Sequence, residues 1–156
     1  MPLTRRLVLI SGLAALPTPL AAEGGWYPLR DAEGRDIQNF RVPVELQSDI
    51  MALDNAFTLG SADADVTLIE VYDSNCGFCR RAADDVKAMT AADLDLAVSL
   101  INAPSLGLPS VQAARVESAV KQLGGEAKAQ EFHARSMAAR GVFDGLRALQ
   151  VAADIG

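Results

Sequence analysis

The sequence predicts an α/β domain, and three observations carry that expectation. A β-branched, almost continuously apolar run, Val66 to Tyr72, leads into a helical stripe and then into a second strand pattern, Leu94 to Ile101. Glycines at 124, 125, 141 and 156 divide the rest of the chain into helical segments. Half of the 156 residues are apolar and 22% are charged, which suits one domain with its own core.

The N-terminus has the three parts of an export signal. Arg5 and Arg6 supply the positive region, Leu7 to Leu16 the apolar stretch, and Leu20-Ala21-Ala22 a small-residue cleavage site, so the mature chain is expected to begin near Glu23. The stretch is too short to span a bilayer. Both the general secretory and the twin-arginine routes fit it, and either makes the protein periplasmic. The whole chain carries a net charge of −6. Without residues 1–22 it keeps 12 basic and 20 acidic residues, a net charge of −8, which argues against nucleic acid or an anionic membrane surface as partner.

Trp26 to Leu29 and Ile37 to Val44 flank the turn-forming Asp31-Ala32-Glu33-Gly34 and predict a hairpin. Glu45 to Ala56 suits a short helix or an extended linker, and Gly60 to Asp65 a loop. Val66 to Tyr72 reads as a central strand buried on both faces. Cys79, Ala82, Ala83, Val86 and Met89 then fall on one helical face, with Asp73, Ser74 and Asn75 available to cap its start. With Leu94 to Ile101 this makes a β-α-β unit, which requires parallel strands. Beyond the loop Asn102 to Pro109, helices are expected over Ser110–Leu123, Glu126–Arg140 and Asp144 to about Asp154, and no further strand.

The only two cysteines, Cys76 and Cys79, sit at the junction of that strand and helix. Such a spacing serves zinc, copper and redox sites alike. A helix start stabilises thiolate over thiol, which makes Cys76 the candidate nucleophile and Cys79 its resolving partner. Tetrahedral zinc needs four ligands, and the one histidine, His133, is remote and read as structural. No metal site is therefore assigned, although a two-thiolate copper(I)-binding module stays open as a non-enzymatic alternative.

From Glu70-Val71-Tyr72-Asp73-Ser74-Asn75 into Cys76-Gly77-Phe78-Cys79-Arg80-Arg81 the chain resembles the DsbA-like thiol-disulfide oxidoreductases. Weaker likeness follows in Asn102 to Gly107, Ser110 with Ala113-Ala114, and Phe132-His133 to Gly141, so that it covers about residues 58–156. The resemblance implies a thioredoxin-like fold with an inserted helical segment over 110–156 and a function in forming or exchanging disulfides, with no cofactor. Its implied partners are unfolded or thiol-bearing exported proteins and a membrane redox partner, either a quinone-linked oxidase or a thiol relay. Family members return to the sheet after the insertion, with a cis-proline ahead of the first returning strand. No proline follows Pro109 here, and Pro104 and Pro109 read as loop residues, so the C-terminal strands are expected to be missing and a truncated, inactive chain is a further alternative.

The resemblance gives Glu70 the place of a buried acid that relays a proton for the resolving thiol. Gly77 and Phe78 fill the variable dipeptide, where more oxidising relatives often carry a histidine. Phe78 offers no charge and implies a less favoured thiolate, or a contact for substrate. Arg80 and Arg81 place cations in a helix's first turn, against its dipole. They either tune Cys76 or pair with Asp84 and Asp85 four residues on.

Overall fold

A computed structural model describes residues 29–37 and 44–156, which fall into two units divided after Arg41. The export signal and most of the expected hairpin lie outside the described residues. In the first unit, β1 (Leu29–Arg30) and β2 (Asp36–Ile37) pair antiparallel. Asp31 closes the turn between them, its carboxylate accepting from the backbone N–H of Glu33 and Arg35 and from the Arg35 guanidinium at 2.6 Å.

The second unit, residues 42–156, carries the cysteines. It begins with α1 (Val44–Met51), the helical option of the two the sequence left open. Then come β3 (Ala56–Gly60), β4 (Val66–Tyr72), α2 (Gly77–Ala92), β5 (Leu96–Asn102), α3 (Leu108–Ala138) and α4 (Gly145–Ile155). Strand β3 was not expected from the sequence. Its short run, Ala56-Phe57-Thr58-Leu59, is broken by a threonine and sits between two segments that read as non-strand, and tertiary pairing with β5 decides it. Gly60 ends it with φ of 96°, where a Cβ would lie 2.5 Å from the Leu96 carbonyl oxygen, so only glycine lets the chain pass so close to β5.

The sheet order is β3-β5-β4, with β5 antiparallel to β3 and parallel to β4. This corrects one expectation. β4 is an edge strand among the described residues, with Val66 and Val71 59% and 62% exposed, while β5 is buried from Ala97 through Asn102. An apolar run reports what a strand can bury, but the central place goes to the strand with neighbours on both sides.

Helix α2 packs on β5 and β3, and α3 packs on β3 and on α2. Phe57, Tyr72, Val86, Val98, Leu100, Ala129 and Met137 form the main core, with Cys79 and Ala83 against its edge. Of the predicted α2 stripe only Met89 turns out exposed. A second core, Ala113, Phe132, Phe143, Ala148 and Ile155, joins α3 to α4. The long α3 is two helices joined at a kink: Gly125 has φ of 76°, a positive-φ conformation that interrupts the ladder where the sequence placed a break. No helix among the described residues is long and apolar enough to cross a membrane.

Candidate functional site

Strand β4 delivers Tyr72 into the core, and the chain then turns through Asp73, Ser74 and Asn75, closed by the Cys76 N–H donating to the Asp73 carbonyl at 2.9 Å. Cys76 itself is the N-cap of α2: its φ and ψ are −79° and 114°, and its Sγ accepts from the Cys79 backbone N–H at 3.4 Å. The expected caps Asp73, Ser74 and Asn75 therefore do not cap α2, because the helix starts at Gly77 with Cys76 as its cap, and the Asp73 and Asn75 side chains are engaged elsewhere.

Both cysteines are free thiols and partly buried. Hydrogen bonds from the Cys79 thiol and backbone N–H, with help from the Phe78 N–H, hold the Cys76 thiol below its ordinary value. Burial, then donation to Cys76, pushes Cys79 up. The pair is thus polarised, with the negative charge favoured on Cys76.

Three side chains fasten the turn to the helical segment. The Asp73 carboxylate accepts four hydrogen bonds, from the N–H of Asn75, Ser105 and Leu106 and from the Ser110 hydroxyl, all at 2.8–2.9 Å. Those bonds hold Asp73 below the usual carboxylate range although burial opposes them. Asn75 donates to the Ser110 hydroxyl and the Phe143 carbonyl and accepts from the Phe143 N–H at 2.7 Å. Arg80 donates through Nε to the Ser74 carbonyl and through Nη1 to the Gly141 carbonyl. The sequence offers Asp73 and Asn75 only as caps of the helix that follows, and no local signal separates that role from this one.

Glu70 lies two residues before Tyr72 on β4, opposite Leu100 of β5. It is partly buried, its Oε2 has no hydrogen-bond partner among the described residues, and burial raises its pKa. Its charge in turn raises the Cys79 thiol. Gly77 opens α2 with nothing near its missing side chain. Phe78 is 79% exposed, and the Arg81 guanidinium sits over its ring, 4.5 Å from the centroid. The expected pairing of Arg80 and Arg81 with Asp84 and Asp85 is not found, since none of the ion pairs among the described residues involves either arginine. Arg80 is held by two carbonyls and Arg81 by an aromatic face.

Beneath the turn is a buried polar cluster not anticipated from sequence. Tyr72 and Asn102 are register partners at the ends of β4 and β5, and both donate to the Glu117 carboxylate, Tyr72 Oη to Oε1 at 2.5 Å and Asn102 Nδ2 to Oε2. Burial pushes Glu117 up to about 7. Its signal was a lone acid on the apolar stripe Ala113, Val116, Val120. His133 is buried edge-on against Tyr72 and Phe57, with centroids 4.7 and 5.5 Å away, and burial lowers it to about 4, in keeping with a structural histidine. No group of three histidines, cysteines or acids among the described residues is placed to hold a metal.

Comparison with protein-family models gives no match, and comparison with curated proteins gives none. Solved structures do match. A thioredoxin-like oxidoreductase from Silicibacter pomeroyi DSS-3 aligns at 33% identity over 70% of this chain and 62% of its own, with a TM-score of 0.64. The thiol-disulfide exchange protein alpha-DsbA2 from Wolbachia pipientis aligns at 25% identity over 72% of this chain and 59% of its own, with a TM-score of 0.60. A periplasmic thioredoxin-like protein from Salmonella enterica serovar Typhimurium aligns at 19% identity over 75% and 67%, with a TM-score of 0.66, a likeness of fold. The chain thus spans about three fifths of the length of the first two. It has a thioredoxin-like fold, with a C-x-x-C pair at the start of α2.

Proposed function

We propose that this thioredoxin-like chain is an exported thiol-disulfide oxidoreductase that exchanges disulfides with secreted proteins through a mixed disulfide on Cys76. The observation that carries the reading is the polarised pair: Cys76 Sγ takes the Cys79 N–H at the helix start, while burial keeps Cys79 protonated. In the oxidising direction a client thiolate attacks Sγ of Cys76 in the Cys76–Cys79 disulfide, and Cys79 leaves as thiolate and takes up a proton. A second client thiolate then attacks the client sulfur bonded to Cys76, forming the client disulfide and expelling Cys76 as thiolate. Two electrons pass from client to pair.

The leaving group of the second step is the thiolate that the helix start stabilises, which favours the oxidising direction. Glu70 gives and takes the Cys79 proton, its carboxyl being held in the protonated form to a higher pH than usual. A membrane redox partner restores the disulfide. Export rests on the three-part N-terminus, and the exchange role is supported by the Wolbachia neighbour, described as a thiol-disulfide exchange protein.

The test uses the chain with Cys79→Ser and with Cys76→Ser, each offered a disulfide-bearing client. Cys79→Ser should accumulate a client adduct visible as a mass shift, and Cys76→Ser should not. Equal adducts from both would reverse the roles. Copper(I) bound tightly by the native pair without any exchange in a glutathione buffer would replace the enzyme by a binding module.

A further inference from the structure

The first turn of α2 has no acidic residue, and two arginines follow directly on the cysteine pair in sequence. Arg80 is spent on two carbonyls. Arg81 is different: it is exposed, no carboxylate pairs with it among the described residues, and its guanidinium carbon sits over the exposed ring of Phe78. A cation–π contact consumes none of the guanidinium's N–H donors, which stay available to bind a carboxylate bidentately. It also orders a long side chain in advance, which lowers the entropy cost of that bond. The acid nearest to Cys76 in sequence, Asp73, has its carboxylate filled by four donors from the loop and helix beyond. The helix start that carries Cys76 thus presents an exposed cation and aromatic ring, with the next acids along it, Asp84 and Asp85, one turn further on.

Resting on the exchange reading above, we infer that Phe78 and Arg81 form a client-selecting platform that favours cysteines with an acidic residue close by in the client chain. Arg81 lies five residues along α2 from Cys76, about 7.5 Å of axial rise and about 140° round the helix, an offset its long side chain has to bridge. A client residue two positions from its own cysteine reaches about 7 Å once that cysteine is bonded to Cys76. Selection acts at the encounter and in the mixed disulfide, leaving the thiol chemistry of the pair unchanged.

The experiment uses the full chain carrying Cys79→Ser and two peptide disulfides that differ only in Asp or Lys two residues from the cysteine. Each peptide sulfur is bonded to 2-nitro-5-thiobenzoate. Cys76 thiolate attacks the peptide sulfur and releases the coloured thiolate, and each rate is divided by the rate with mercaptoethanol as attacker to remove the peptide's own reactivity. The Asp peptide should react about two- to fivefold faster, and less so at high salt. Adding Arg81→Glu should bring the ratio to one or below, and adding Phe78→Ala should shrink it by releasing Arg81. A change in Cys76 acidity alone would alter both rates equally and leave their ratio fixed. Fast exchange with an Asp-to-Lys ratio of one, or a ratio indifferent to Arg81→Glu, overturns the platform and spares the exchange reading. No reaction of Cys76 with either peptide overturns both.

Discussion

Tyr72 and Glu117, 45 residues apart, meet beneath the cysteine turn in a 2.5 Å hydrogen bond that ties the sheet to α3. The cluster around it titrates in two directions. Glu117 is pushed up to about 7 from an ordinary 4.5, so the folded chain keeps a proton that the unfolded chain releases. Its contribution to stability is complete below pH 4.5 and is lost as the pH rises to about 7. His133 is pushed down to about 4 from 6.5, so the unfolded chain gains a proton that the folded chain refuses. Its contribution is complete above pH 6.5 and is lost as the pH falls to about 4.

Between those limits the two slopes oppose each other, and the first prediction is that these groups give the native chain a plateau of stability. Glu117→Gln should leave the histidine slope alone, with stability rising by about 3 kcal/mol from pH 4 to 6.5. His133→Phe should leave the glutamate slope, with stability falling by a similar amount as pH rises from 4.5 to 7. Urea unfolding across the pH range reads both. Parallel curves for all three proteins would remove the cluster as a titrating unit.

A second prediction concerns the turn. Asp73→Ala strands donors on Asn75, Ser105, Leu106 and Ser110, of which the Ser110 hydroxyl belongs to a buried residue, and should cost about 2 kcal/mol by chemical denaturation. Asp84→Ala, exposed and without an ion pair, should change stability by less than about 0.5 kcal/mol. Comparable losses would mean that the four acceptor bonds do not fasten the turn.

Third, Glu70→Gln should slow exchange at least about tenfold while the equilibrium potential moves far less, because a proton relay acts on rate. Stopped-flow measurements over a range of pH should show the rate losing the limb that follows Glu70 ionisation. An unchanged rate-pH profile would reduce Glu70 to a partly buried strand residue.

Fourth, the sheet order sets unequal costs for two similar truncations. Leu100→Ala, in the fully buried centre of β5, should cost about 2–5 kcal/mol, whereas Val71→Ala on exposed β4 should cost about 0.5 kcal/mol. Thermal unfolding of the two variants compares them directly. Equal losses would mean that β4 is covered in solution.

Local signals made part of this legible. The β-branched run of β4, the helical stripe after it and the glycine pair inside α3 each act through backbone preference or periodicity, and each led to the element found there. Cys76 and Cys79 were legible for the same reason, standing where a strand hands over to a helix. What was not legible depends on neighbours distant in sequence. Whether β4 or β5 lies in the middle is decided by β3, whose short apolar stretch gives little periodic signal. Asp73 looks like any helix cap until Ser105, Leu106 and Ser110 arrive from the far side of β5 to claim it. Glu117 looks like a surface acid unless Tyr72 and Asn102 are known to end side by side.

The cap on α2 is made by a sulfur atom, and that atom changes its bonding during the proposed reaction. A thiolate accepts the Cys79 N–H strongly, while a disulfide sulfur accepts it poorly. Redox state and conformational stability are then two sides of one thermodynamic cycle. Whatever the cap contributes to the reduced form beyond the oxidised form must reappear as oxidising power of the pair. A calorimeter comparing the melting of the two forms would therefore act as a voltmeter for this helix.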